Sequence, residues 1–163
     1  MGRARYGMSE QEQSEASVIR FYRTGDSYGA LSNFAPYPIT LDEVVWPTSE
    51  HFFQAQKFLD DAYRERIRAK PSPMRAAELG RSRKVQLRAD WEEIKDDVMR
   101  RAVWAKFTQH AALAELLLAT GDATLVEHTP HDSYWADGGD GSGRNMLGRI
   151  LMETRDRLAR ERG

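Results

Sequence analysis

The stretch WPTSEHFFQAQKFL, Trp46 to Leu59, decides how the rest of the chain is read. On a helix advancing about 100° per residue, with Glu50 as the reference, Gln54 falls at roughly 40° and Lys57 at roughly −20°, so the three share one narrow stripe. Phe52, Phe53, Ala55, Phe58 and Leu59 fill most of the remaining circumference, with His51 and Gln56 the polar exceptions. A helix of this kind is buried nearly all round. A Glu and a Lys on its one polar face need each other or a polar cavity, because desolvating an unpaired charge costs several kcal/mol. Two arrangements satisfy that demand: a structural ion pair, or a stripe lining a ligand cleft. In a cleft the carboxylate can move protons, and a desolvated amine has its pKa depressed enough to act as a nucleophile.

Outward from this segment the pattern is mostly helical. The spacing predicts helices over Ser49–Leu59, Ala62–Ala69, Pro73–Gly80, Trp91–Gln109, Ala112–Ala119 and Met146–Arg160, with Ser72 and Asn145 as N-caps and Gly80 and Gly121 as stops. Upstream, VIRFYR at Val18–Arg23 reads as a short strand, and Ile39–Leu41 with Val44–Trp46 as a hairpin around Asp42 and Glu43. A chain of 163 residues with 40% apolar content holds one core. The expected fold is therefore α+β: a helix-rich single domain over 18–163 with a small N-terminal β element. Residues 1–17, polar and rich in Glu, Gln and Ser, are expected as a mobile tail.

Composition removes several function classes. A net charge of −1 gives no global positive field for indiscriminate nucleic-acid binding. Positive charge gathers locally over 64–106, with Arg81, Arg83, Lys84 and Arg88 the densest group; these are either solvated helix faces with i to i+4 partners or a side suited to a phosphate-bearing ligand. The absence of cysteine excludes a disulfide framework, a thiolate zinc site and a cysteine nucleophile. With no secretory signal and no membrane-length apolar run, the expectation is a cytoplasmic protein with no membrane partner. His51, His110, His128 and His131 show no recognised ligand spacing, so no metal is expected. The oligomeric state is open.

One connection is long. HTPHDSYWADGGDGSGRN, His128 to Asn145, has four glycines, three aspartates and two aromatics but no periodicity, and loops of this length inside compact domains are usually functional. Gly139, Gly141 and Gly143 can let the backbone approach a ligand, and the helix after Asn145 points its first amides at the loop, as an anion site requires. Neither G-x-G-x-x-G nor an EF-hand pattern is present. Asp132, Asp137 and Asp140 fit turn and cap chemistry as well as acid chemistry. Tyr134 and Trp135 beside them suit a planar base. Trp104 reads as core, as does Trp91, although Trp91 opens its helix directly after the basic group.

Taken together, LSNF at 31–34, WPTSEHFFQAQKF at 46–58, SPMRAAELGR at 72–81, RADWEEIK at 88–95, VMRRAVWAKF at 98–107, LVEHT at 125–129 and YWADGGDGSGRNMLG at 134–148 closely resemble the YbiA-like, or NADAR, family of N-glycosidases over roughly residues 18–160. The resemblance implies a helix-rich α+β domain that hydrolyses a C1′–N bond between ribose and a nitrogenous base, without metal or other cofactor. Family branches act on phosphorylated ribosylamino-pyrimidine intermediates of early riboflavin synthesis or remove ADP-ribose from guanine in nucleic acid; the first looks nearer. Glu50 and Lys57 match the family's S-E-H and Q-x-K-F positions, Trp91 its tryptophan after the basic turn, and Asp132 and Asp137 its late acidic positions. Ala136 departs from a frequent glycine.

The resulting expectation places ribose along Glu50, Gln54 and Lys57, with Asn33 and Phe34 of LSNF also in contact, and the base on Trp91 or on Tyr134 and Trp135. Glu50 moves protons, Asp132 or Asp137 is the second carboxylate, and Lys57 offers an alternative Schiff-base route. The 5′-phosphate falls to Arg23 or to the Gly141–Asn145 turn. The partner is then a small phosphorylated ribosyl-base. Nucleic acid enters only if the chain is an ADP-ribosyl hydrolase, and a non-catalytic ADP-ribose or nucleotide-binding module is the third reading.

Overall fold

The computed structural model describes residues 17–163, so all but the last residue of the expected N-terminal tail lies outside the described residues. In chain order the elements are β1 (Val18–Phe21), a 3-10 turn at Gly29–Leu31, β2 (Ile39–Leu41), β3 (Val44–Trp46), α1 (Ser49–Ala55), α2 (Asp61–Arg68), α3 (Pro73–Arg81), α4 (Trp91–Gln109), α5 (Ala111–Ala119), β4 (Thr124–Glu127) and α6 (Met146–Arg162). This is the expected helix-rich α+β domain. β2 and β3 pair antiparallel through Asp42 and Glu43, both at positive φ (54° and 66°), the handedness a two-residue hairpin turn needs.

β4 is the element the periodicity misses. Its four residues, TLVE, lie parallel to β1 with Val18 opposite Thr124 and Phe21 opposite Glu127. A parallel pair requires a long crossover, here everything from the 3-10 turn through α5, so nothing local in the sequence announces it. The pairing brings Glu127 beside the start of the chain segment that leads away from β1.

α1 runs through the middle, contacting α2, α3, α4 and β3. All seven of its residues are buried, and Phe52 within it and Phe58 just beyond it reach 0% exposure; each fully buried phenylalanine is worth about 1.5–3 kcal/mol. Thr48 caps the helix by accepting from the His51 amide at 3.2 Å. The helix ends at Ala55, four residues before the expected stop, because the next amides turn to closer carbonyls: Lys57 N to Gln54 O at 3.3 Å and Phe58 N to Ala55 O at 3.2 Å. Gly80 lets α3 approach: a Cβ there would lie 1.8 Å from Gln54 Oε1.

The expected cap at Ser72 is present, its hydroxyl accepting from Arg75 N at 3.2 Å. Asn145 is the N-cap position of α6, as expected, but its side chain makes no cap hydrogen bond. It sits at φ 51°, and its side chain instead holds β4, accepting from Glu127 N at 3.0 Å and donating to Leu125 O at 2.9 Å. Most of the charge over 64–106 is surface pairing, as in Arg75–Glu78, Arg88–Asp90 and Lys95–Glu92. No helix among the described residues is long and apolar enough to cross a membrane.

Candidate active site

A cavity of about 690 Å³ opens between α1, α3, the segment following β1, the end of β4 and the first half of the 128–145 loop. Glu50, Gln54 and Lys57 all line it, although Lys57 lies in the turn just beyond α1 rather than on the helix. Gln54 Nε2 donates to Glu50 Oε1 at 2.7 Å. Lys57 makes no ion pair with Glu50; its ammonium sits 5.7 Å from the Phe53 ring centroid and 6.0 Å from that of Trp91. The stripe therefore opens into a hollow instead of closing on itself. Burial, with a smaller push from Asp132, holds the Glu50 carboxyl above its usual range, and Gln54, Lys57 and Arg81 only partly oppose it. Burial lowers the Lys57 amine to about 8, with Arg83 and Arg81 pushing the same way and Glu50 opposing.

Asp132 is the loop carboxylate that reaches the cavity. One of its oxygens accepts from the amides of Tyr134 (2.9 Å) and Trp135 (2.8 Å), which fixes the carboxylate as the loop turns. Trp135 also lines the cavity and stands edge-on to Phe53 at 5.3 Å. Asn33 is there too, its side chain accepting from Ser49 Oγ at 2.9 Å while its carbonyl takes the Glu50 amide at 3.3 Å, so LSNF sets the start of α1. Phe34, 38% exposed, is at the cavity, as is Arg23.

Several expected contacts lie elsewhere. Asp137 is 4% exposed and does not line the main cavity. Its carboxylate binds His128 Nδ1 at 2.7 Å and the amides of Gly139 (2.8 Å) and Thr129 (3.2 Å). Burial raises its pKa, but these donors outweigh it and hold the carboxyl below the usual range. Trp91 is buried against Phe53 at 5.2 Å, behind the cavity wall. Tyr134 points away and donates to Asp96 Oδ1 at 2.6 Å.

The Gly141–Asn145 turn does not offer helix amides to an anion. Gly143, Arg144, Asn145, Met146 and Leu147 spend theirs on carbonyls of residues 133–137, between 2.8 and 3.1 Å. Gly143 permits that fold-back, since a Cβ would lie 2.4 Å from Ala136 O. With Gly139, these residues shape the loop, and Gly141, Gly143 and Asn145 border a separate hollow of about 320 Å³.

Among the lining residues that had not been singled out as contacts are Tyr22, Met74, Arg81 and Glu127. Arg81 alone of the dense basic group is there, and it forms no ion pair among the described residues. Tyr22 (46%) and Met74 (60%) are exposed apolar side chains, which periodicity treats as noise. Glu127 ends a short apolar run, and an acid in that place, just before an aspartate-rich loop, was the available signal. Burial, reinforced by Asp132, Glu50 and Asp137, pushes its carboxyl up to about 8.

The NADAR domain model matches residues 20–159. The chain is 57% identical over 152 residues to N-glycosidase YbiA of Escherichia coli strain K12, covering 93% of this chain and 95% of that one. It is 46% identical over 140 residues to a riboflavin biosynthesis protein of Vibrio vulnificus, a match spanning 86% of this chain and 38% of that longer one. The solved NMR structure of E. coli YbiA superposes with a TM-score of 0.84 at 59% identity, over 90% of this chain and 87% of that one. With the helical body, the open Glu50–Lys57 stripe and these matches in hand, the chain belongs to the NADAR domain family.

Proposed function

We propose that this N-glycosidase hydrolyses the bond between C1′ of ribose 5-phosphate and the amino nitrogen of a pyrimidine-type base, as in the ribosylamino-pyrimidine phosphates of early riboflavin synthesis. The observation that carries the reading is one open cavity holding Glu50, Asp132 and Lys57 with no ion pair joining Glu50 to Lys57. The riboflavin name of the Vibrio vulnificus relative supports the substrate class.

Cleavage builds positive charge at C1′ and negative charge on the departing nitrogen. Carboxylates on the sugar side favour the first. Glu50 takes a proton from the water that attacks C1′, while the C1′–N electron pair leaves with nitrogen; Asp132 stabilises the sugar cation. Lys57 gives a second route: its neutral amine attacks C1′ of the ring-opened sugar, the base departs as its amine, and water hydrolyses the imine to return Lys57 and release ribose 5-phosphate. Arg23 and Arg81, both without an acidic partner among the described residues, are the cations for the phosphate. Trp135, Phe34 and Met74 supply apolar faces for the base.

Mass spectrometry of released ribose 5-phosphate, with ribosylamino-pyrimidine phosphates compared against ADP-ribosylated guanosine, tests the reading. Preferred release from the first is expected, and preferred turnover of the second overturns the substrate assignment. Full turnover by both Glu50→Gln and Lys57→Ala would remove the site assignment itself.

A further inference from the structure

We infer that Glu127 is the acid that protonates the departing nitrogen. This rests on the reading just given, which needs a proton donor on the base side and names none. Glu127 is the last residue of β4 and its side chain lines the same cavity as Glu50 and Asp132. Its backbone is clamped: the amide donates to Asn145 Oδ1 at 3.0 Å, and the carbonyl accepts from Asp137 N at 2.9 Å. Its carboxyl, by contrast, makes no hydrogen bond or ion pair with any described residue. A rigidly held, mostly buried acid with an unoccupied head group facing an open site is costly to maintain for structure alone.

The neighbourhood keeps that carboxyl neutral. The charges acting on it are acids: Asp132 and Asp137 from the loop and Glu50 from α1. Of the cavity's cations, Lys57, Arg81 and Arg23, none pairs with it. His131 lines the cavity without a hydrogen bond to it, and His128 is held by Asp137. Arg20 of β1 and Arg149 of α6 border the smaller hollow instead. Burial and the three carboxylates together raise its pKa to about 8, so it carries its proton at neutral pH. Glu50 differs because it has an amide donor and two cations near it. Burial raises Glu50 too, but there Gln54, Lys57 and Arg81 favour the ionised form, whereas Glu127 has no such donor or cation, which suits Glu50 to the base and Glu127 to the acid.

In the hydrolytic step the C1′–N bond breaks with its electron pair going to nitrogen, and that nitrogen takes the proton from Glu127. The oxygen of water bonds to C1′ and its proton passes to Glu50. Proton exchange through solvent resets both carboxyls, so one water is consumed per turnover.

The test is kcat against pH for wild type and Glu127→Gln on a ribosylamino-pyrimidine phosphate, alongside a ribose 5-phosphate carrying a 4-nitrophenolate leaving group, which departs without a proton. Expected are a fall in kcat of about 100-fold or more on the amine substrate with KM moving less than about 3-fold, loss of an alkaline limb near pH 8, and a much smaller fall on the nitrophenolate. A Glu127→Gln enzyme within about 3-fold of wild type on the amine, or equally impaired on both substrates, overturns the inference. Wild type supplies a reading that needs no variant: carbon-13 NMR of the assigned Glu127 carboxyl must show it protonated at pH 7, and an ionised signal there overturns the inference even if the variant fails to fold. Wild type that does not turn over the ribosylamino-pyrimidine phosphate overturns the function proposed above, whereas the carboxyl's protonation state at pH 7 still tests the acid.

Discussion

Lys57 and Glu50 lie about two helical turns apart in sequence, and each is shifted mainly by its own burial, with the other's charge opposing the shift. With burial holding the Lys57 amine near 8, about half of it is free base at pH 8, against under about 1% for an ordinary lysine. An amine-directed reagent such as trinitrobenzenesulfonate, used at pH 8 in substoichiometric amount and read by peptide mass spectrometry, should label Lys57 first. Labelling spread evenly over the lysines would contradict that. Borohydride added during turnover distinguishes the two chemical routes, because only the imine route leaves a sugar reduced onto Lys57. Glu50→Gln keeps the Gln54 contact in altered form but removes proton transfer, so kcat should fall about 100- to 10,000-fold with the thermal midpoint little changed. The stripe itself was legible from spacing alone, since 3.6-residue periodicity puts positions 50, 54 and 57 together. Whether it closed as an ion pair or opened to a ligand was not legible, because that depends on what α3, β4 and the loop put opposite it.

At the scale of elements, the 128–145 loop works as a folded unit that aims one carboxylate, Asp132, into the cavity and uses another, Asp137, as its internal hub. Asn145 ties that unit to β4 by two side-chain hydrogen bonds from a left-handed backbone position. Asn145→Ala should therefore lower the unfolding free energy by about 2–4 kcal/mol, the sum of two lost bonds and the strain of a positive φ. Asn145→Gly should recover only the strain. The exposed Asp140→Ala, which loses only two local bonds from Ser142, should cost about 1 kcal/mol or less when both variants are compared by urea titration. Gly80→Ala drives a methyl into Gln54, which carries the donor to Glu50, so activity should drop about 10- to 100-fold with a stability loss of about 1–3 kcal/mol. A Gly80→Ala enzyme with wild-type kcat would show that Gln54 can move without disturbing Glu50. Its glycines, aspartates and length without periodicity pointed to this loop as special. Its role was misread toward ligand amides because the sequence does not reveal that those amides close on the loop's own carbonyls.

Across the whole molecule, two buried ionisable groups give stability opposite slopes with pH. Lys106 is 1% exposed and donates to Ser32 O at 2.7 Å, with burial lowering it to about 7. Between about 7 and 10.5 the unfolded chain binds a proton there that the native state lacks, so stability rises with pH across that window. Glu127 behaves inversely: between 4.5 and about 8 the native state keeps a proton that the unfolded chain has lost, so stability falls as pH rises. Lys106→Met should flatten the alkaline rise, on the order of 1 kcal/mol per pH unit, in thermal melts from pH 7 to 10. A melt that still rises as steeply would place the titration elsewhere. The net charge of −1 and the few free cations at the cavity also predict turnover that changes little between 50 and 200 mM salt; a steep fall would favour a nucleic-acid substrate with several phosphate contacts.

The amino-acid pattern by itself determined the helical body, the hairpin, the buried face of α1 and the residues offered along its polar stripe, because these follow from local periodicity, capping and turn chemistry. Only the tertiary structure decided that β1 and β4 pair, that Asp132 rather than Asp137 reaches the stripe, and that Glu127 stands over it without a partner. Those facts depend on long-range closure and on desolvation by neighbours distant in the chain, and no local spacing encodes either.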